Sequence, residues 1–136
     1  MLSVFPQLFA YEQLAPLILR LVLGIIFIAH GYPKLFKNFG ATVDFFGSVG
    51  LKPAKFLVII VAVSEFFGGI ALVLGFLTQI AALLITMVML VAMVYVKKIK
   101  FKKGLVDGYE FDLILFAAAL ALLFLGPGAF AIDLPF

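Results

Sequence analysis

The sequence predicts an all-α integral membrane protein, a four-helix bundle in a single domain with short interfacial segments. Three observations predict it. Of 136 residues, 66% are hydrophobic and 12% are charged, against about 45–50% and about 25% in a soluble domain. One soluble domain of this length has too little interior to hide that much apolar surface. Four apolar stretches each approach or exceed the roughly 20 residues that a helix needs to cross a bilayer. All nine lysines fall in two of the connections between those stretches.

Near the N-terminus, Val4, Phe5, Leu8 and Phe9 recur at helical spacing and Pro6 suits a first turn. A short interfacial helix is expected there. No basic n-region is present and Arg20 interrupts the next apolar run, so the segment does not read as a signal peptide. The first span covers about residues 13–34 and carries Arg20 and His30. Pro33 lacks a backbone donor and should kink or end it. Residues 41–50 are too short to span and read as an amphipathic segment on the membrane surface.

The second span, about residues 54–76, holds one charge, Glu65. Gly75 and Thr78 frame a very short link, so the second and third spans form an antiparallel hairpin. The third span, about residues 77–96, has no charge. The fourth, about residues 112–130, has none after Asp112, and Gly126-Pro127-Gly128 breaks it. Residues 129–136 are expected at the interface. Lipid offers no partner to backbone polar groups, so each span should be a helix. No internal repeat and no second domain are evident.

The lysines set the topology. Lys34, Lys37, Lys52 and Lys55 flank the link between the first and second spans, and Lys97, Lys98, Lys100, Lys102 and Lys103 fill the link between the third and fourth. The positive-inside bias places both links in the cytoplasm and both termini outside it, in a multi-pass protein of the cell (inner) membrane. The net charge of +3 is therefore a topology signal and does not call for a nucleic-acid partner. The lysine run also suits anionic lipid or an acidic soluble partner. Asp107, Glu110 and Asp112 suit the start of the fourth helix and can neutralise neighbouring lysines.

Arg20 and Glu65 stand inside spans, where a charge costs about 2.5–3.5 kcal/mol on insertion scales and usually faces the bundle interior. Arg20 lies about 7.5 Å outward of mid-span at the α-helical rise, within partial reach of a Glu65 near the middle of the next helix. Gly24 and Gly31, with Gly68, Gly69 and Gly75, would let these helices approach closely. Two readings stay open. Arg20 and Glu65 form an ion pair that locks the bundle, or they line a polar pocket with His30 at its mouth. His30-Gly31-Tyr32-Pro33-Lys34 fits an interfacial helix end or a proton-exchanging group.

The absence of cysteine excludes disulfides, thiol catalysis and cysteine-held iron–sulfur clusters. A single histidine excludes bis-histidine haem within one chain and histidine-rich metal sites. Met87, Met89 and Met93 read as packing.

Taken in order, Arg20, Gly24, His30-Gly31, Lys34-Leu35-Phe36, Gly50-Leu51, Glu65, Gly68-Gly69, Leu74-Gly75, Thr78, Gly108, Glu110, Gly126-Pro127-Gly128 and Asp133 resemble the DoxX family of small four-helix membrane proteins. The likeness runs from about residue 17 to residue 133 and departs at Ala131, where the family often has serine. The resemblance implies a membrane subunit facing quinone or lipid. Its expected ligand-binding residues are Arg20, His30, Lys34, Glu65 and Asp133. No covalently bound cofactor and no metal is expected, and a quinone is the expected ligand. The expected partners are the lipid bilayer and a redox protein or further copies of the chain. The alternatives are a non-catalytic scaffold or assembly factor whose buried Arg and Glu are structural, and a small-molecule or lipid transporter.

Overall fold

A computed structural model describes residues 3–133. Residues 134–136, part of the segment expected at the interface, lie outside it. The described residues form helices and no strand, with four segments long and apolar enough to cross a membrane: Leu14–Lys37, Ala54–Leu74, Thr78–Lys100 and Leu105–Leu125. A 3₁₀ helix over Pro6–Tyr11 precedes them and leaves Val4, Phe5, Leu8 and Phe9 exposed, as an interfacial segment requires.

The five α-helices are α1 (Leu14–Tyr32), α2 (Phe39–Ser48), α3 (Ala54–Leu74), α4 (Thr78–Leu90) and α5 (Glu110–Leu125). The four spanning helices form a ring in which α1 packs on α3, α3 on α4, α4 on α5 and α5 on α1. The short α2 crosses beside α3 at the end of the bundle that carries the lysines. Leu23, Phe27, Leu72, Ile85, Leu115 and Leu122 fill the centre, while Ile18, Val22, Ile25, Ile80, Ile114 and Phe124 point outward. That outward apolar face belongs in lipid.

Glycine sets the α1–α3 contact. A Cβ on Gly24 would lie 2.6 Å from the Gly69 carbonyl oxygen, and one on Gly69 would lie 2.7 Å from the Gly24 oxygen. A Cβ on Gly31 would lie 2.5 Å from the Phe66 nitrogen. The backbones therefore touch at two levels, as small residues permit in membranes. Gly68 faces the other way, toward Ile85 of α4.

Pro33 does not stop the first span. It opens a π-helical turn, Pro33–Lys37, closed by Asn38 N–H donating to the Pro33 oxygen at 2.6 Å. The third span likewise continues past α4 as a π-helix over Val91–Lys100. The fourth is entered through a kink at Val106 and Asp107, is helical from Glu110, and ends at Leu125, before Gly126-Pro127-Gly128. Both π segments lie at the lysine-bearing end.

At the other end, Gly75 adopts φ +69° and closes α3. The amides of Gly75 and Phe76 donate to the oxygens of Leu72 and Ala71, the paired bonds of a glycine-capped helix end. The segment after α5 folds back as a strap. Ala129 N–H donates to the Gln13 oxygen at 3.1 Å, Ile132 N–H to Leu74 at 3.2 Å, and Asp133 N–H to Gly75 at 2.8 Å.

Candidate ligand-binding site

The two intramembrane charges do not pair with each other. Arg20 is fully buried at the strap end. Its Nε donates to the Pro127 oxygen at 2.7 Å, Nη1 to Leu72 and Val73 at 3.1 and 3.3 Å, and Nη2 to Ala129 and Phe130 at 2.7 and 3.3 Å. A guanidinium has five N–H donors, and each meets a carbonyl. Two of the acceptors belong to the last turn of α3, the electronegative end of its dipole. The expected Arg20–Glu65 pair fails because these carbonyls already satisfy Arg20 where it stands.

Asp133 serves the same closure. Its Oδ1 and Oδ2 accept from the amides of Leu77 and Thr78 at 2.7 and 2.8 Å, capping the start of α4 from 55 residues away. Burial pushes the Asp133 carboxyl up, but the Thr78 and Leu77 amides and the Arg20 charge outweigh burial and hold it below the usual carboxylate value. The Thr78 hydroxyl beside it makes no well-formed hydrogen bond. A hollow of about 600 Å³ adjoins this closure, lined by Gln13, Thr78, Pro127 and Asp133 among others. Both Asp133 oxygens already accept hydrogen bonds from the start of α4, so this carboxylate has a structural task beside the hollow.

Glu65 pairs with Lys34. The ammonium lies 2.8 and 2.7 Å from the two carboxylate oxygens, and the side chains are 30% and 5% exposed. The π-turn after Pro33 carries Lys34 at the foot of α1, and the close Gly31–Phe66 approach brings α3 beside it. His30, one turn earlier, is exposed and stands 6.4 Å from the Phe111 ring.

These three residues line a cleft of about 680 Å³ at the lysine-bearing end, walled chiefly by apolar groups such as Phe27, Phe45, Phe46, Ile60, Met89 and Leu115. The volume falls within the range of about 300–1,000 Å³ usual for small-molecule sites. The structure thus gathers His30, Lys34 and Glu65, and leaves Arg20 and Asp133 at the opposite end.

Sequence reasoning missed a second ion pair on the same cleft. Lys97 Nζ lies 2.9 Å from Asp112 Oδ2, with side chains 32% and 7% exposed. The ammonium stands off the hydrogen-bonding angle, so this oxygen is buried without a formed hydrogen bond. The acidic group before the fourth helix does neutralise a neighbouring lysine, through Asp112. One signal was available in the sequence: Tyr-x-Lys-x-x-Lys occurs at Tyr32-Pro33-Lys34 with Lys37, and again at Tyr95-Val96-Lys97 with Lys100. Among the described residues no group of three or more histidine and carboxylate residues is placed to hold a metal.

Comparison with known proteins agrees with the fold. The DoxX family profile matches residues 15–98. A Bacillus subtilis (strain 168) protein named "Putative oxidoreductase CatD" is 33% identical over 121 residues, covering 89% of this chain and 86% of that protein. The Escherichia coli (strain K12) "Inner membrane protein YqjF" is 30% identical over 125 residues, covering 90% and 92%. No solved structure matches the chain. Four apolar helices, the glycine-mediated α1–α3 contact and these matches together make the chain a small multi-pass membrane protein belonging to the DoxX family.

Proposed function

We propose that the chain is a quinone-binding membrane subunit that holds the ring in the lysine-end cleft and works with a separate redox protein. One observation carries the reading: the cleft is apolar, yet its charged groups are two cation–carboxylate pairs whose charges cancel. A charge-balanced, greasy site favours an uncharged head on an apolar tail over an anionic phospholipid headgroup. A bound quinone would supply the two-electron chemistry. Lys34 and His30 would donate hydrogen bonds to its oxygen, and Glu65 would hold the Lys34 ammonium in place. The chain has no cysteine and one histidine, so a partner would carry the electrons. The name of the CatD relative supports a redox setting.

The lysine-rich end lies in the cytoplasm in this proposal, where Lys98, Lys102 and Lys103 would meet an acidic soluble partner. Single cysteines at Lys102 and Glu12, in a chain with none of its own, test the orientation. A membrane-impermeant maleimide added to intact cells should label only the Glu12 site.

The direct test is chromatography of solvent extracts from the protein purified with native lipid. Quinone should co-purify with the parent and be lost in Glu65→Gln. Equal, trace quinone in both would remove the proposal. A purely structural scaffold is the second reading, favoured by Arg20, whose five bonds all run to the chain's own carbonyls. In that case Glu65→Gln would lower the melting temperature and leave the extracts alike.

A further inference from the structure

The two ion pairs of the cleft are built alike. Each lysine sits third in a Tyr-x-Lys-x-x-Lys string, and each string is π-helical, Pro33–Lys37 in one case and Val91–Lys100 in the other. The wider π turn gives both strings the same side-chain arrangement. The second lysine, five residues after the tyrosine, lies 5.5 Å from that tyrosine's ring, Lys37 over Tyr32 and Lys100 over Tyr95. The first lysine is left to reach a buried carboxylate on the following span, Lys34 to Glu65 of α3 and Lys97 to Asp112 of α5. π segments are rare and recur at functional sites.

The ring order of the helices puts the α1–α3 seam opposite the α4–α5 seam. The two pairs therefore belong to opposite seams of the bundle, and all four residues line the same cleft. The arrangement also leaves each ammonium with spare donor capacity, because a lysine has three N–H groups. Lys97 is the less committed of the two, being close to Asp112 without an aligned hydrogen bond.

We propose that Lys97–Asp112 is the second half of the binding site, and that the ligand is a flat ring with an oxygen acceptor on each of two opposite edges. Lys34 donates to one oxygen and Lys97 to the other, while Glu65 and Asp112 fix the two ammoniums. This rests on the quinone reading and narrows it to para-quinones and their hydroquinones. A ring with one oxygen satisfies only one lysine.

The test uses the full chain. It has no tryptophan, so Phe101→Trp on the cleft wall gives a single fluorescent reporter. Duroquinone, with two opposed carbonyls, is titrated in detergent, and 2,3,5,6-tetramethylphenol, with one oxygen, is used as competitor. Duroquinone should quench the reporter. The neutral pair Lys97→Gln/Asp112→Asn should weaken it about tenfold, the loss of one good hydrogen bond, and weaken the phenol less than twofold. Lys97→Arg, which keeps charge and ion pair but moves the donors, should weaken duroquinone at least threefold and covers the case in which the neutral pair does not fold. Unchanged duroquinone binding in the folded Lys97 variants, with loss in Lys34→Gln/Glu65→Gln, would overturn the two-sided site and leave the quinone reading standing. No duroquinone retained by the unsubstituted chain in equilibrium dialysis would overturn both.

Discussion

Lys34 and Glu65 are joined through both carboxylate oxygens, at 2.8 and 2.7 Å, in the wall of the cleft. The carboxylate is nearly buried and the ammonium is 30% exposed. The pair is thus anchored on the acid side and partly solvated on the other. Removing the acid strands a cation that can still reach water or headgroups, which limits the damage. Glu65→Ala should cost about 3 kcal/mol, the low end for breaking a buried pair. The double variant Lys34→Met/Glu65→Leu should recover most of that loss. Thermal unfolding in one detergent measures both.

Arg20 should be less forgiving. Its burial is complete and its five donors close the strap onto α3. Arg20→Ala would orphan those carbonyls and leave a void, costing about 3–5 kcal/mol. Arg20→Lys supplies three donors without the planar fork and should recover only part. Limited proteolysis should cut Arg20→Ala within residues 126–133 at protease levels the parent survives, while duroquinone quenching at the far end persists.

Asp133 links this closure to pH. Its carboxyl is held below the usual value in the folded chain, so it contributes stability that is fully present above the unfolded value near ~3.9. That contribution is lost as pH falls through the lower folded value. Melting temperature followed from pH 7 to pH 3 should drop more steeply in the parent than in Asp133→Asn. Asp133→Asn should also melt lower at pH 7, because its one neutral carbonyl oxygen replaces the separate carboxylate oxygens that accept from the Leu77 and Thr78 amides, and its NH2 group only donates.

The glycines differ in sign. A methyl group on Gly24 or Gly69 would meet the backbone of the facing helix at 2.6–2.7 Å, so either alanine variant should lose about 1–3 kcal/mol through forced separation of α1 and α3. Gly40 has nothing within 4 Å of the added Cβ and sits in helical α2. Gly40→Ala should gain about 0.5–1 kcal/mol from reduced chain entropy. Parallel melts of the three variants check the ordering.

Much of the bundle was legible in the sequence because membranes impose strong one-dimensional rules. Run length, Gly75 and Gly126-Pro127-Gly128 marked where helices turn, and the glycines of α1 and α3 marked a close seam. The π segments were not legible. Pro33 reads as a kink or an end, and the span continues to Lys37 because a wider turn closes with Asn38 N–H on the Pro33 oxygen. Asp112 reads as a helix-start acid until Lys97 is brought to it.

The sequence by itself determined that the chain has four stretches long and apolar enough to span a membrane, that its lysines gather at one end, and that Arg20 and Glu65 must be sheltered. Those outcomes follow from local composition, since apolar length and the cost of a naked charge in lipid need no knowledge of neighbours. Only the tertiary structure decided the partners. Arg20 met the carbonyls freed at the end of α3 and in the returning strap, which left Glu65 to Lys34 and separated a closing device from an apolar cleft. Partner choice depends on helix rotation and on a chain segment more than 100 residues away, and residue order alone does not specify either.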